Sequence, residues 1–328
     1  MKNMTKLLEV KNLKMYYTTM KGDVKAVEDV KFSIERGETL GLAGESGCGK
    51  SSVALALMKL YPYNAKIIHG EILLDGKNIL EMSDEQIRKE VRWKRISMVP
   101  QASMNALNPV FTIKKQIVEA ILTHEDVSEK EAEGRTIDLL RRVGIDTMRA
   151  DNYPHEFSGG MKQRTMMAMA LCCNPDLLIA DEPTTALDVI VQAQVLKEIK
   201  TLQNDLGLSM ILISHDLSVV AETCEKTIIM YAGNMVENAT THEIFSHPLH
   251  PYSIGLIGAF PKLKGERKRL ESIKGSPPNL LNPPEGCRFH PRCPKAREIC
   301  SIDVPQLVEK HTDHHVACHM VNNHPEYR

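Results

Sequence analysis

Gly44-Glu-Ser-Gly-Cys-Gly-Lys-Ser-Ser52 is the stretch on which the reading of the whole chain turns. Gly44, Gly49, Lys50 and Ser51 satisfy the pattern G-x-x-x-x-G-K-[ST]. Glu45, Ser46, Gly47 and Cys48 fill the loop, and Ser52 follows it. Glycines let the backbone turn its N–H groups towards phosphate oxygens, and a helix starting behind the loop adds the positive end of its dipole. Lys50 is placed to reach the β- and γ-phosphates, and the Ser51 hydroxyl to bind Mg²⁺. The flanks agree. Glu38 to Ala43 is a short apolar run that reads as a buried strand, and Val53 to Leu60 reads as an amphipathic helix. A glycine-rich turn that cradles nothing would not need this strand-loop-helix setting.

Working outward, composition sets the limits. A chain of 328 residues, 42% hydrophobic and 25% charged, has material for one large domain or two with a substantial core. A formal net charge of −1 gives no broad basic surface to neutralise phosphates, so no nucleic-acid partner is predicted. The first ten residues are broken by charge too often for a signal peptide, and no run of 18 apolar residues exists to span a bilayer. These features predict a cytosolic chain whose eight cysteines are thiols or metal ligands and not structural disulfides.

Before the phosphate loop, Leu7 to Met15 and Val24 to Ile34 alternate apolar and polar around Lys21-Gly-Asp, which predicts an antiparallel pair. Tyr16 and Tyr17 close the first strand, where a ring serves either for half-buried packing or for stacking on a base. After the loop, Ile67 to Leu74 and Ile96 to Val99 read as strands, the second ending in Pro100-Gln101. Residues 112 to 150 are apolar at helical spacing and nearly free of Gly and Pro, so they predict a helical block inserted between strands. Ser158-Gly-Gly then opens a helix over Met161 to Cys173.

Leu177-Leu-Ile-Ala-Asp181-Glu182 reads as a buried strand ending in two carboxylates. A carboxylate at that end of a parallel sheet lies beside the phosphate loop and can serve Mg²⁺, while the next residue points elsewhere and can polarise an attacking water. A solvated acidic strand end would not need so apolar a lead-in. Val189 to Leu206 reads as a helix and Ser209 to Ser214 as a further strand delivering His215. A histidine there is by default a packing or surface residue, and a third strand ending in a polar group raises the functional reading.

With these pieces in order, residues 5 to 260 resemble the nucleotide-binding subunits of ATP-binding cassette (ABC) transporters. The likeness rests on the phosphate loop, Gln101, Ser158-Gly159-Gly160, Asp181-Glu182, Ala186-Leu187-Asp188 and His215, all in the family's order. It implies an α/β P-loop NTPase with an antiparallel β subdomain and an inserted helical subdomain at about 104–174. It also implies that Tyr17 stacks on adenine, Gln101 contacts Mg²⁺ and water, Asp181 serves Mg²⁺, Glu182 is the general base and His215 meets the γ-phosphate. Ser158, Gly159 and Gly160 complete the ATP site of an opposing subunit, so one chain holds two half-sites. Asp188 belongs to the same nucleotide-binding set. Met161 stands where the family usually has glutamine.

Further stretches resemble the peptide, or peptide and nickel, importer branch: Ser103-Met-Asn-Ala-Leu-Asn-Pro109, Tyr153 to Gly160, Met230-Tyr-Ala-Gly233 and His250-Pro-Tyr252. That branch implies a paralogous ATPase partner (or a homodimer), two membrane permease subunits and, indirectly, a solute-binding protein. The place of work is then the cytoplasmic face of the membrane. Two other classes fit the sequence less well. A soluble ABC ATPase of DNA repair or translation would carry long coiled-coil or tandem-cassette insertions, and a redox protein would need a second redox centre; neither is seen in the sequence.

Residues 261–328 form the remaining segment, and their composition differs. Seven prolines between Pro277 and Pro305 predict a small loop-rich appendage, which has little core and needs a staple. Cys287, Cys293, Cys300 and Cys318, separated by 5, 6 and 17 residues, are the candidates. Four thiolates suit a [4Fe–4S] cluster or a tetrahedral Zn²⁺, and the spacing matches neither a zinc ribbon nor a ferredoxin run. Similar four-cysteine tails in some peptide-importer ATPases bind an iron–sulfur cluster, which favours that reading over zinc or free thiols. Six histidines, including His290, His314, His315 and His319, leave a mixed site open, and most are expected to be solvated. The other cysteines, Cys48, Cys172, Cys173 and Cys224, read as small buried hydrophobes.

Overall fold

The strand that feeds the phosphate loop, Thr39–Ala43, is buried at every position, as the apolar five-residue run Thr-Leu-Gly-Leu-Ala requires. The computed structural model describes residues 6–101, 106–185, 188–259 and 273–322. By its packing the chain divides into two units. One comprises Met1–Leu7, Ile34–Glu38 and Asn78–Ile213, the other Leu8–Ser33, Thr39–Lys77 and Ser214–Arg328.

In the second unit Thr39–Ala43 runs parallel to Lys226–Tyr231, with Gly41 opposite Thr227. Lys226–Tyr231 pairs antiparallel with Asn234–Thr240, which pairs in turn with His314–Val316, and that with Val308–His311. A second sheet places Lys6–Thr19 between Gly22–Glu35 and Ala65–Leu74, with Leu8 opposite Leu74 and Tyr17 opposite Ala65. The expected pair and the expected strand at Ile67 to Leu74 are both present, each longer than the sequence pattern marks.

In the first unit Ile96–Val99, Leu177–Asp181 and Ser209–Ser214 form a parallel set, Ile179 lying opposite both Met98 and Ile211. The inserted block is helical over Ile113–His124 and Glu129–Arg142. Thr112 and Ser128 cap these helices by accepting from the N–H groups of Lys115 and Glu131. Ile113, Ile117 and Ile121, one helical turn apart, are fully buried, and they join Leu140, Phe157, Met167 and Val195 in one core.

Two expectations are corrected. The helix after the phosphate loop runs from Lys50 to Leu57, three residues earlier than the periodicity marks, and Val53, Ala54, Ala56 and Leu57 are all buried. Small residues let it sink into the core, so an amphipathic pattern is not what holds it. The C-terminal segment is more than a loop-rich appendage: Val308–His311 and His314–Val316 extend the sheet, and His314 is 1% exposed with its Nε2 2.7 Å from the fully buried Glu237 carboxylate. That carboxylate also accepts from the N–H groups of Leu249 and His250, so both of its oxygens are hydrogen-bonded.

Candidate nucleotide site

Where the buried strand ends, Gly44 turns at φ 147° and Gly49 at φ 106°, conformations closed to residues with a Cβ. A Cβ on Gly44 would lie 2.2 Å from the Met230 carbonyl oxygen. The loop therefore packs backbone against backbone. Lys50 is 5% exposed, and its Nζ donates to the carbonyls of Gly44 at 2.7 Å and Glu45 at 3.1 Å, which aims the ammonium back over the loop. Cys48 is buried beneath, and burial pushes its thiol up although Lys50 opposes this. Ser46 and Gly47 are exposed at the tip, Ser51 half-buried behind them. The Tyr17 hydroxyl lies 3.1 Å from Ser52 Oγ, which places that ring against the start of the phosphate-loop helix. His215, also in this unit, is exposed.

The carboxylates lie in the first unit. Asp181 ends its strand at 2% exposure. Glu182 then takes φ +50°, and this left-handed step turns its side chain away from the line of the strand. Its N–H donates to the Ile213 carbonyl, and its Oε2 accepts from Gln101 Nε2 and Thr185 Oγ1, both at 3.0 Å. Gln101 and Glu182, 81 residues apart in sequence, are thus joined by a hydrogen bond. Thr185 was missed; its place three residues after Glu182 in a tight turn is the one signal for it.

Ser158 caps the helix Gly159–Leu171 by accepting from the Met161 N–H, and Ser158 and Gly159 are exposed. A Cβ on Gly160 would meet Val191 Cγ1 at 2.6 Å, so close packing of two helices keeps this glycine small. Asp188 accepts from the Val191 N–H at the head of Val189–Leu206. Ala186 and Leu187 lie outside the described residues, as do parts of 103–109.

Cys287, Cys293, Cys300 and Cys318 line one small cavity together with His250, His290 and His319. No three His, Cys, Asp or Glu among the described residues form a group that could hold a metal ion, so the expected metal centre is not formed in this arrangement. Burial pushes the Cys287 thiol up to about 12, with the three other cysteines adding to the effect. Cys48, Cys172, Cys173 and Cys224 are buried, as expected.

Against known proteins, the profile described as ABC transporter matches residues 27–185, and that described as oligopeptide/dipeptide transporter, C-terminal region, matches residues 236–300. The chain is 47% identical over 320 residues to the oligopeptide transport ATP-binding protein AppD of Bacillus subtilis, covering 96% of this chain and 97% of that one. It is 44% identical to the dipeptide transport ATP-binding protein DppD of the same organism, covering 99% and 97%. It is 47% identical to the oligopeptide transport ATP-binding protein OppD of Escherichia coli, covering 91% and 89%. Among solved structures, the cassette MJ0796 in a dimeric post-hydrolysis state with ADP and Pi matches at TM-score 0.64 and 26% identity, covering 71% of this chain and 98% of that one. Phosphate loop, carboxylate strand and fold together define an ATP-hydrolysing cassette, and the chain belongs to the ABC transporter family. Within that family it stands with the oligopeptide/dipeptide transport ATP-binding proteins.

Proposed function

We propose that this chain is the ATPase subunit of an importer that takes up di- or oligopeptides. The observation that carries the reading is identity of 44 to 47% along nearly the whole length of peptide-transport ATP-binding proteins. Among the described residues no helix is long and apolar enough to cross a membrane. The solute path then belongs to two permease subunits, with this chain peripheral at their cytoplasmic face beside a paralogous or identical ATPase. Residues 1–260 form the cassette, with residues 104–174 as its helical subdomain, and 261–328 the importer-type extension.

In the proposed mechanism the phosphate loop, Gly44 to Ser52, orients the triphosphate by its N–H groups and Lys50, with Tyr17 on the adenine. Ser51, Asp181 and Gln101 offer oxygen donors, the chemistry Mg²⁺ takes, and when bound the ion neutralises charge between the β- and γ-phosphates. Glu182 holds the attacking water and takes its proton, His215 steadies the γ-phosphate, and Asp188 belongs to the nucleotide-binding set. Ser158, Gly159 and Gly160 complete the site of the second ATPase subunit, which makes closure depend on ATP and reopening on hydrolysis. Vesicles carrying the permeases and this chain are expected to accumulate labelled dipeptide only with ATP on the cassette side. ATP-driven uptake of a sugar or a nickel chelate, with none of peptide, overturns the substrate class.

The four tail cysteines are proposed to hold a [4Fe–4S] cluster. Four thiols around one cavity are the donor set such a cluster takes, and Zn²⁺ is the competing occupant. Protein purified anaerobically is expected to be brown, with absorbance near about 400 nm and about four irons per chain. Colourless protein carrying one zinc removes the cluster.

A further inference from the structure

Phosphate loops are entropically loose, because glycines that reach unusual φ values in the bound form reach many others when free. Three of the nine residues from Gly44 to Ser52 are glycines at positive φ. Something outside the loop must hold it in one shape, and Glu45 shows what does. Its N–H donates to the Tyr252 hydroxyl at 2.9 Å, its carbonyl accepts from Lys50, and its carboxylate receives Arg292 in a two-pronged pair at 2.6 and 3.0 Å.

Arg292 comes from the C-terminal segment, next to Cys293, 247 residues from Glu45. Its side chain is 6% exposed. All five of its N–H donors are engaged: two on Glu45, one on the Tyr231 hydroxyl at 3.2 Å, one on the Lys274 carbonyl at 2.9 Å and one on the Gly275 carbonyl at 3.2 Å. The guanidinium also stands 5.7 Å from the Tyr231 ring centre. A fully occupied planar fork fixes its partner in direction as well as in distance, which a lysine could not do.

Docking of the segment does not need this pair. Phe289 is buried among Tyr231, Tyr252 and His250, and Arg288 bonds the carbonyls of Ala232 and Lys25 and the Glu28 carboxylate. The strand His314–Val316 adds its own ladder. With the segment also held elsewhere, the two donors that Arg292 gives to Glu45 act on the loop.

We propose that Arg292 is a positioning residue for ATP binding, clamping the phosphate loop through Glu45 so that the C-terminal segment sets how tightly nucleotide is held. This rests on the reading of Gly44 to Ser52 as the ATP site. The test measures binding of the fluorescent analogue TNP-ATP to the full chain, with amide hydrogen exchange alongside. Arg292→Ala is expected to weaken binding about tenfold, Arg292→Lys to recover part of the loss, and Glu45→Gln to match Arg292→Ala. Combining Arg292→Ala with Glu45→Gln is expected to cost no more than either alone, since both remove one interaction. Exchange in Gly44 to Gly49 is expected to quicken in Arg292→Ala, while the Ala317 N–H, bonded to the Val236 carbonyl, stays protected. Binding within twofold of the parent in Arg292→Ala and Glu45→Gln, or additive losses in the double variant, overturns the clamp. If Arg292→Ala releases the whole segment, Glu45→Gln alone decides in the same way. Failure of the unaltered chain to bind TNP-ATP would instead sink the ATP-site reading.

Discussion

Glu182→Gln is expected to lower ATP turnover about a thousandfold while leaving ATP bound. The side chain sits at φ +50°, a backbone state that costs a non-glycine residue roughly 1–2 kcal/mol and that persists where surrounding structure imposes it. Here the imposing contacts are the N–H donated to Ile213 and the carboxylate held by Gln101 and Thr185. Glutamine has the same shape, and its amide oxygen still accepts from both neighbours. What it cannot do is take a proton from water. Geometry is therefore kept and the proposed base removed, and two cassettes are expected to remain closed on unhydrolysed ATP. Single-turnover hydrolysis together with gel filtration in ATP and Mg²⁺ measures both effects. Hydrolysis at the parental rate would show that another group accepts the proton.

Fold and site were legible in unequal measure. Ile96–Val99, Val189–Leu206 and Ser209–Ser214 lie where hydrophobic pattern puts them, because each is an apolar run or an apolar residue set at helical spacing bounded by turn residues. The phosphate-loop helix was misplaced by three residues, since its first turn, Lys50-Ser-Ser, carries no apolar residue to mark it. The place of Glu182 at a strand end was legible from the apolar run before it, and its hydrogen bond to Gln101 was not, because nothing local to Pro100-Gln101 announces a partner 81 residues away. His314 defeated expectation for the same reason: a histidine in a polar stretch looks solvated until Glu237, in another strand, is seen to bury with it. Contacts that join the C-terminal segment to the loop, Arg292 with Glu45 above all, are tertiary and leave no periodic trace.

Within the phosphate loop, Gly49→Ala is expected to weaken ATP binding at least about a hundredfold, and Gly47→Ala no more than about thirtyfold. Both glycines have positive φ, 106° and 78°, so alanine is strained at either. They differ in the space a Cβ would enter. At Gly47 nothing lies within 4 Å, so only the backbone penalty of about 1–2 kcal/mol applies. At Gly49 the Cβ would stand 2.3 Å from the Ala26 carbonyl oxygen, a backbone atom in a strand that cannot step aside without moving its sheet. Relief would come from turning Gly49 itself, and Gly49 is the residue that starts the helix Lys50–Leu57. Turning it swings Lys50 and the first free N–H groups away from the phosphates together. Titrating both variants with TNP-ATP, with thermal melts to confirm that each folds, separates the two contributions. Equal losses in the two variants would mean that backbone strain alone governs the loop and that its packing against Ala26 is incidental.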